Sequence, residues 1–159
     1  MNSPSPVQND PANNVELRMR TMRTLWLAML MAVVMYYVLT LFVGHAPNLA
    51  PNNKLFLLFV SVALAMTLIS FPVKKWLVNK AINQQQVQLV QQAYIVAWAM
   101  TEIGGLLAII DFFITSDRYY YVLLIIAGCG QLLHFPKRED VVNASFNRAG
   151  RAGIWQEPN

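Results

Sequence analysis

Two long stretches of this chain, Leu25–Val43 and Leu55–Phe71, contain no charged residue at all. A soluble fold scatters charge over its surface, so stretches like these belong in lipid or in a closed apolar interior. A helix rises about 1.5 Å per residue and needs roughly 20 apolar residues to cross a bilayer. A further apolar run covers the 22 residues Ala93–Ile114, and another follows from about Tyr121 to Phe135. The chain has 159 residues, 56% apolar and 13% charged, too short for two ordinary globular domains and with about half the usual share of charge. The expected fold is all-α and membrane-embedded. It has four transmembrane helices in two tandem helical hairpins, with both termini cytoplasmic.

The flanks orient this arrangement. Arg18, Arg20 and Arg23 precede the first run, Lys74, Lys75 and Lys80 follow the second, and Lys137, Arg138, Arg148 and Arg151 follow the fourth. Basic residues mark cytoplasmic flanks. The net charge of +4 therefore reads as orientation and lipid contact, not nucleic-acid binding. The expected location is the plasma membrane, or the inner membrane if the source is a diderm bacterium. Gly44-His45-Ala46 resembles a small-x-small cleavage site, but the preceding run is longer than a signal-peptide core, so the first helix is expected to be retained.

Residues 1–23 read as a disordered cytoplasmic tail with a basic flank, because the first part is polar and proline-rich. Residues 24–72 form the first hairpin. Residues 73–92 read as a cytoplasmic helical extension running into the third helix, with Pro72 ending or kinking the second. Residues 93–136 form the second hairpin and 137–159 a flexible cytoplasmic tail. Gly44–Asn53, with His45, reads as an outer loop, and Ser116-Asp117-Arg118 as a tight outer turn. The segment Leu68–Asn79 can be laid on Leu132–Asn143, matching leucine, phenylalanine, proline, valine and asparagine in place. Each copy ends an apolar run at Phe-Pro, which suggests an internal repeat in parallel orientation.

Small residues mark where helices can approach. Ala28 and Ala32 are four apart, Ser61, Ala63 and Ala65 alternate, Ala97, Thr101 and Gly105 form a stripe, and Gly128 lies in a small-residue run beside Cys129. Cys129 is the only cysteine and reads as a small packing residue. Asp111, near the outer end of its run, reads as a solvated interface acid.

Glu102 lies near the middle of the third run, bordering that stripe. An acid at mid-membrane costs roughly 3 kcal/mol or more and usually has a reason to be there. No lysine or arginine stands inside any span, and low-dielectric surroundings favour a neutral carboxyl. Its partner could be Thr101, Thr67, a tyrosine or a backbone carbonyl. Separately, Tyr36 and Tyr37 stand past the middle of the first run, where one hydroxyl could meet a polar group on a neighbouring helix. The stretch Ala99-Met100-Thr101-Glu102-Ile103-Gly104-Gly105-Leu106-Leu107-Ala108-Ile109-Ile110 resembles the ion-binding helix of the proteolipid c subunit of rotary ATP synthases. There an acidic residue precedes a glycine-leucine step and an aliphatic run. Ser61, Ala63 and Ala65 echo the glycine-rich helix of that family. The resemblance implies that Glu102 is a proton or sodium carrier, and the four-helix length is similar to the doubled proteolipids of vacuolar-type rotors. This chain has residues 73–92 in place of the family's short polar loop, and its acid lies in the third helix, not an even-numbered one.

The expected function is a small multi-pass membrane subunit that handles a proton or cation at Glu102, with Thr101 and Gly105 shaping the site. The alternative is a non-catalytic membrane scaffold or assembly factor in which Glu102 only packs helices. No Ser-His-Asp set, HExxH, P-loop or dinucleotide fingerprint occurs, so the sequence leans away from an enzyme. His134 near Glu139 is the one candidate acid–base pair, and a histidine at a helix end reads first as an interface residue. No cofactor or metal is expected. The expected partners are the lipid bilayer and other membrane subunits or further copies of this chain.

Overall fold

The computed structural model describes residues 11–43, 53–115 and 119–152. The chain forms five described helices: α1 (Pro11–Val43), α2 (Asn53–Gln84), α3 (Val87–Thr115), α4 (Tyr120–Leu133) and α5 (Arg138–Ala152). Three of them are long and apolar enough to cross a membrane, as a multi-pass membrane protein requires; α4 is apolar but shorter. The expected outer loop with His45, the Ser116-Asp117-Arg118 turn, residues 1–10 and the end of the chain lie outside the described residues.

The helices are less regular in sequence than in space. α1 starts at Pro11, so much of the segment expected as a disordered tail is helical. Val15, Met19 and Met22 recur at helical spacing and are buried, which gives this polar-looking segment an apolar stripe to pack. α2 runs straight through Pro72 to Gln84. Proline lacks an N–H, so the Leu68 carbonyl loses its usual partner, but the helix continues. The break comes at Gln85, whose φ is 55°. Gln86 N–H donates to Ala81 O at 3.0 Å and Gln85 N–H to Ile82 O at 3.2 Å, the paired bonds of a left-handed helix stop.

α5 occupies the segment expected as a flexible tail. Its first turn carries Glu139 and Asp140, which suit the positive end of the helix dipole. Val141 and Ala144 supply a buried stripe. The described residues therefore hold a fifth helix, α5, beyond the four transmembrane helices expected.

Two apolar cores result. One joins Val33 of α1, Ala63 of α2, Ala108 and Phe112 of α3, and Leu123, Leu124 and Ala127 of α4. The second lies where the apolar runs give way to basic residues, hereafter the basic end. It joins Met19 and Met22 of α1, Val78 and Ala81 of α2, Val90, Tyr94 and Trp98 of α3, and Val141 and Ala144 of α5. α3 packs on α2 and on α4, and α1 lies against both α3 and α4. Among the described residues no Cα of α1 comes within 8 Å of a Cα of α2, so the two helices of the first expected hairpin are not packed backbone to backbone. Gly104 fits the crossing of three helices: a Cβ there would lie 3.4 Å from Ala127 Cβ and 3.5 Å from both Ala63 Cβ and Leu123 O.

Candidate functional site

Glu102 sits on α3 where α1 crosses it. The side chain is half-buried. Tyr36 of α1 donates its hydroxyl to Glu102 Oε1 at 2.8 Å. The tyrosine reaches that position because α3 has a glycine one turn on. A Cβ on Gly105 would stand 3.0 Å from Tyr36 Cδ2 and 3.1 Å from Cε2, closer than ordinary carbon contact. Gly105 is thus the seat of the Tyr36 ring, and Tyr36 is the partner of the acid.

Thr101 faces elsewhere. It is fully buried, and its hydroxyl donates to Trp98 O one turn back, at 2.9 Å. Its methyl presses on Gly130 of α4, where a Cβ would meet Thr101 Cγ2 at 2.8 Å. The structure therefore brings Glu102 and Gly105 together through Tyr36 and directs Thr101 to the α4 contact. On its other flank Glu102 borders an outward row of α3: Ile95, Ala99, Leu106 and Ile110 are all exposed. No group of three or more His, Cys, Asp or Glu side chains gathers into a metal site among the described residues.

The small residues divide. Ala97 is buried with the rest of its stripe and Ala32 is half-buried, whereas Ala28, Ser61 and Ala65 are exposed. In the alternating run it is Ala63 that packs. Gly128 has open space where its Cβ would be, so the close contact on α4 belongs to Gly130. Asp111, expected at a solvated interface, is buried, because α3 turns that face into the core beside Ala108 and Phe112. Cys129 is exposed and free.

A second polar cluster closes the basic end of α4, and the sequence reading underrated it. His134 is fully buried, and its partners are not Glu139, which is exposed. Its Nδ1 lies 2.8 Å from Gly130 O and its Nε2 3.1 Å from Ser70 Oγ. A carbonyl only accepts, so Nδ1 carries the proton; in the neutral ring Nε2 and the Thr67 carbonyl are then two acceptors facing the single Ser70 hydroxyl proton. Ser70 Oγ also lies 2.5 Å from Thr67 O, and Phe71 covers the imidazole, with 4.5 Å between ring centroids.

α4 ends here and residues 135–137 are not helical. The backbone around this stop is served by side chains. Trp98 Nε1 donates to His134 O at 3.0 Å, Trp26 Nε1 to Gln131 O at 2.8 Å, and Lys137 N–H to Tyr94 Oη at 3.0 Å. Gln131 Nε2 adds a bond to Trp98 O at 3.1 Å. Backbone groups at a buried helix stop are shut off from water and need such internal partners. The signal in the sequence was the coincidence of two tryptophans, a glutamine and a histidine at one depth on different helices. That depth could be compared only after the helices were placed.

No protein-family profile, curated protein or solved structure matches this chain. The resemblance to the proteolipid helix therefore stays confined to the stretch around Glu102.

Proposed function

We propose that this chain is a four-span membrane subunit, with both termini on the cytoplasmic side of a plasma or inner membrane, in which Glu102 takes up and releases a proton at the α1–α3 contact. One observation carries the proposal: a mid-span carboxyl, half-buried beside the outward face of α3, whose described partner is a single phenol. A tyrosine hydroxyl can donate to the carboxylate and can also tolerate the neutral acid by bonding its carbonyl oxygen, so both protonation states keep a partner. A proton fits this site better than a metal cation. Hard cations take six or more oxygen ligands, whereas the Thr101 hydroxyl, the nearest expected addition, is engaged with Trp98 O.

Both described ends of the chain support the topology. Val15 of α1 and Val141 of α5 share one buried cluster, which fits termini on one side. α4 has 14 residues, about 21 Å of helix. The non-helical residues 135–137 add at most about 10 Å. Together they match the roughly 30 Å hydrocarbon core. The meeting of Ser70 with His134, which occupy the same place in the two Phe-Pro segments, supports the internal repeat. The copies have diverged: Pro72 lies inside α2 and Pro136 beyond α4. Other membrane subunits or copies of this chain are the partners such a role needs.

The second reading is a scaffold, favoured by the Tyr36 hydrogen bond itself, which can serve packing alone. Labelling of Glu102 by a hydrophobic carbodiimide in native membranes separates the two. Expected for proton handling is labelling that rises as pH falls and disappears in Glu102→Gln. Tyr36→Phe should raise it several-fold, since a net hydrogen bond is worth about 1 kcal/mol. No labelling at any pH, with Glu102→Gln assembling normally, leaves the scaffold.

A further inference from the structure

The outward face of α1 at the basic end forms an open recess lined by Glu16, Leu17, Arg20, Arg23, Thr24 and Leu27. The opposite face of the same segment is fixed, because Val15, Met19 and Met22 are buried in the basic-end core. The two arginines are therefore held in register on a rigid helix three residues apart, pointing away from the protein. Both are exposed, and among the described residues neither has a carboxylate partner. The Thr24 hydroxyl is turned back onto Arg20 O at 3.0 Å, which leaves the guanidinium groups as the donors of the recess.

Position decides what these donors meet. Counting back from Leu25 at about 1.5 Å per residue, Arg23 lies roughly 3 Å and Arg20 roughly 8 Å beyond the apolar run. The headgroup layer spans about 5–8 Å on each side of the core, so these are phosphate depths. On the membrane side the recess opens onto Leu27, which is 52% exposed, and the row continues through the exposed Met31, Val34 and Met35. A paired guanidinium site directly above a continuous apolar strip matches a ligand that carries a phosphate and acyl chains together. An acidic peptide or a nucleic acid could meet the guanidinium groups but could not use the apolar strip, which lies within the span.

We infer that Arg20 and Arg23 form a binding site for the phosphodiester of an anionic glycerophospholipid whose acyl chains lie along Leu27, Met31 and Val34. Arginine binds phosphate through two parallel N–H bonds, which a lysine ammonium cannot reproduce. Glu16, one turn further out, disfavours a second phosphate and selects a singly phosphorylated headgroup. This site is separate from Glu102 and does not depend on its protonation.

The test uses the full chain purified in detergent, with retained lipid counted by native mass spectrometry during titration with phosphatidylglycerol or phosphatidylcholine. Phosphatidylglycerol should bind about tenfold tighter than phosphatidylcholine, a difference of about 1.4 kcal/mol. Arg20→Gln with Arg23→Gln should abolish that preference. Arg20→Lys with Arg23→Lys keeps charge, orientation and folding, and should still lose roughly threefold or more in affinity for phosphatidylglycerol. Equal binding of the two lipids overturns the site. So does a lysine pair indistinguishable from the original, or an equal loss in Lys75→Gln with Lys80→Gln; either would mean diffuse charge attraction.

Discussion

At the scale of single residues, two neighbouring glycines of α4 have opposite meanings. A Cβ on Gly130 would lie 2.8 Å from Thr101 Cγ2 and 3.1 Å from Thr67 Cγ2. Thr101 cannot turn aside, because it is β-branched and its hydroxyl is held by Trp98 O. Gly130→Ala should therefore cost about 1–3 kcal/mol, the usual range for overpacking, and lower the unfolding temperature in detergent. Gly128→Ala meets open space and should leave it equal or higher, since alanine favours helix over glycine by up to about 1 kcal/mol. The sequence singled out Gly128, because both glycines sit in one small-residue run and only the helix phase tells them apart. The same limit applied to Ser61 and Ala65 against Ala63. For the acid the residues said more: a tyrosine, of no stated helix, was among the partners expected for Glu102, and the structure puts Tyr36 of α1 there. Which hydroxyl would be diverted was hidden, because Thr101 satisfies itself on its own helix.

At the scale of elements, α5 shows how a helix escapes a composition-based reading. It is polar overall, and its buried stripe is short, so it needs an existing surface to fold upon. That surface is held by Tyr94, which donates to Asp140 Oδ2 at 2.6 Å and accepts from Lys137 N–H. Lys74 lies over the Tyr94 ring at 4.2 Å from its centroid, so α2, α3 and α5 meet at one aromatic side chain. A hydrogen bond to a charged group contributes about 1.5–3 kcal/mol. Tyr94→Phe should therefore undock α5, and tryptic cleavage after Lys137 and Arg138 should accelerate roughly tenfold or more. Tyr36→Phe, which removes a bond at the other core, should leave that cleavage rate unchanged. The end of α2 was equally hidden. Helix stops usually announce themselves with glycine, whereas this one uses Gln85 in a left-handed conformation and depends on its two backbone bonds to hold it.

At the scale of the whole molecule, the charge-free runs made the helical, membrane-embedded character plain from the residues. They did so because lipid tolerates only one economical backbone solution for such segments. How the helices sit was not legible, since lipid-facing and partner-facing apolar residues look alike in sequence. α1 and α2 are consecutive yet separated by the α3–α4 pair, and the shortness of α4 leaves the number of crossings to be tested directly. The lone Cys129 makes this simple, because Cys129→Ser removes the only thiol. Asn53, Asn79 and Asn143 are exposed, and each can carry a new cysteine without disturbing a core. Labelled with a membrane-impermeant maleimide in sealed vesicles of either orientation, Asn79→Cys and Asn143→Cys should react from the same side, with Asn53→Cys reacting from the other. If α4 instead turned back within the membrane, Asn143→Cys would react together with Asn53→Cys. The buried cluster that joins Met19 of α1, Val78 of α2 and Val141 of α5 argues for the first pattern, because it cannot form with α5 on the opposite side of the bilayer.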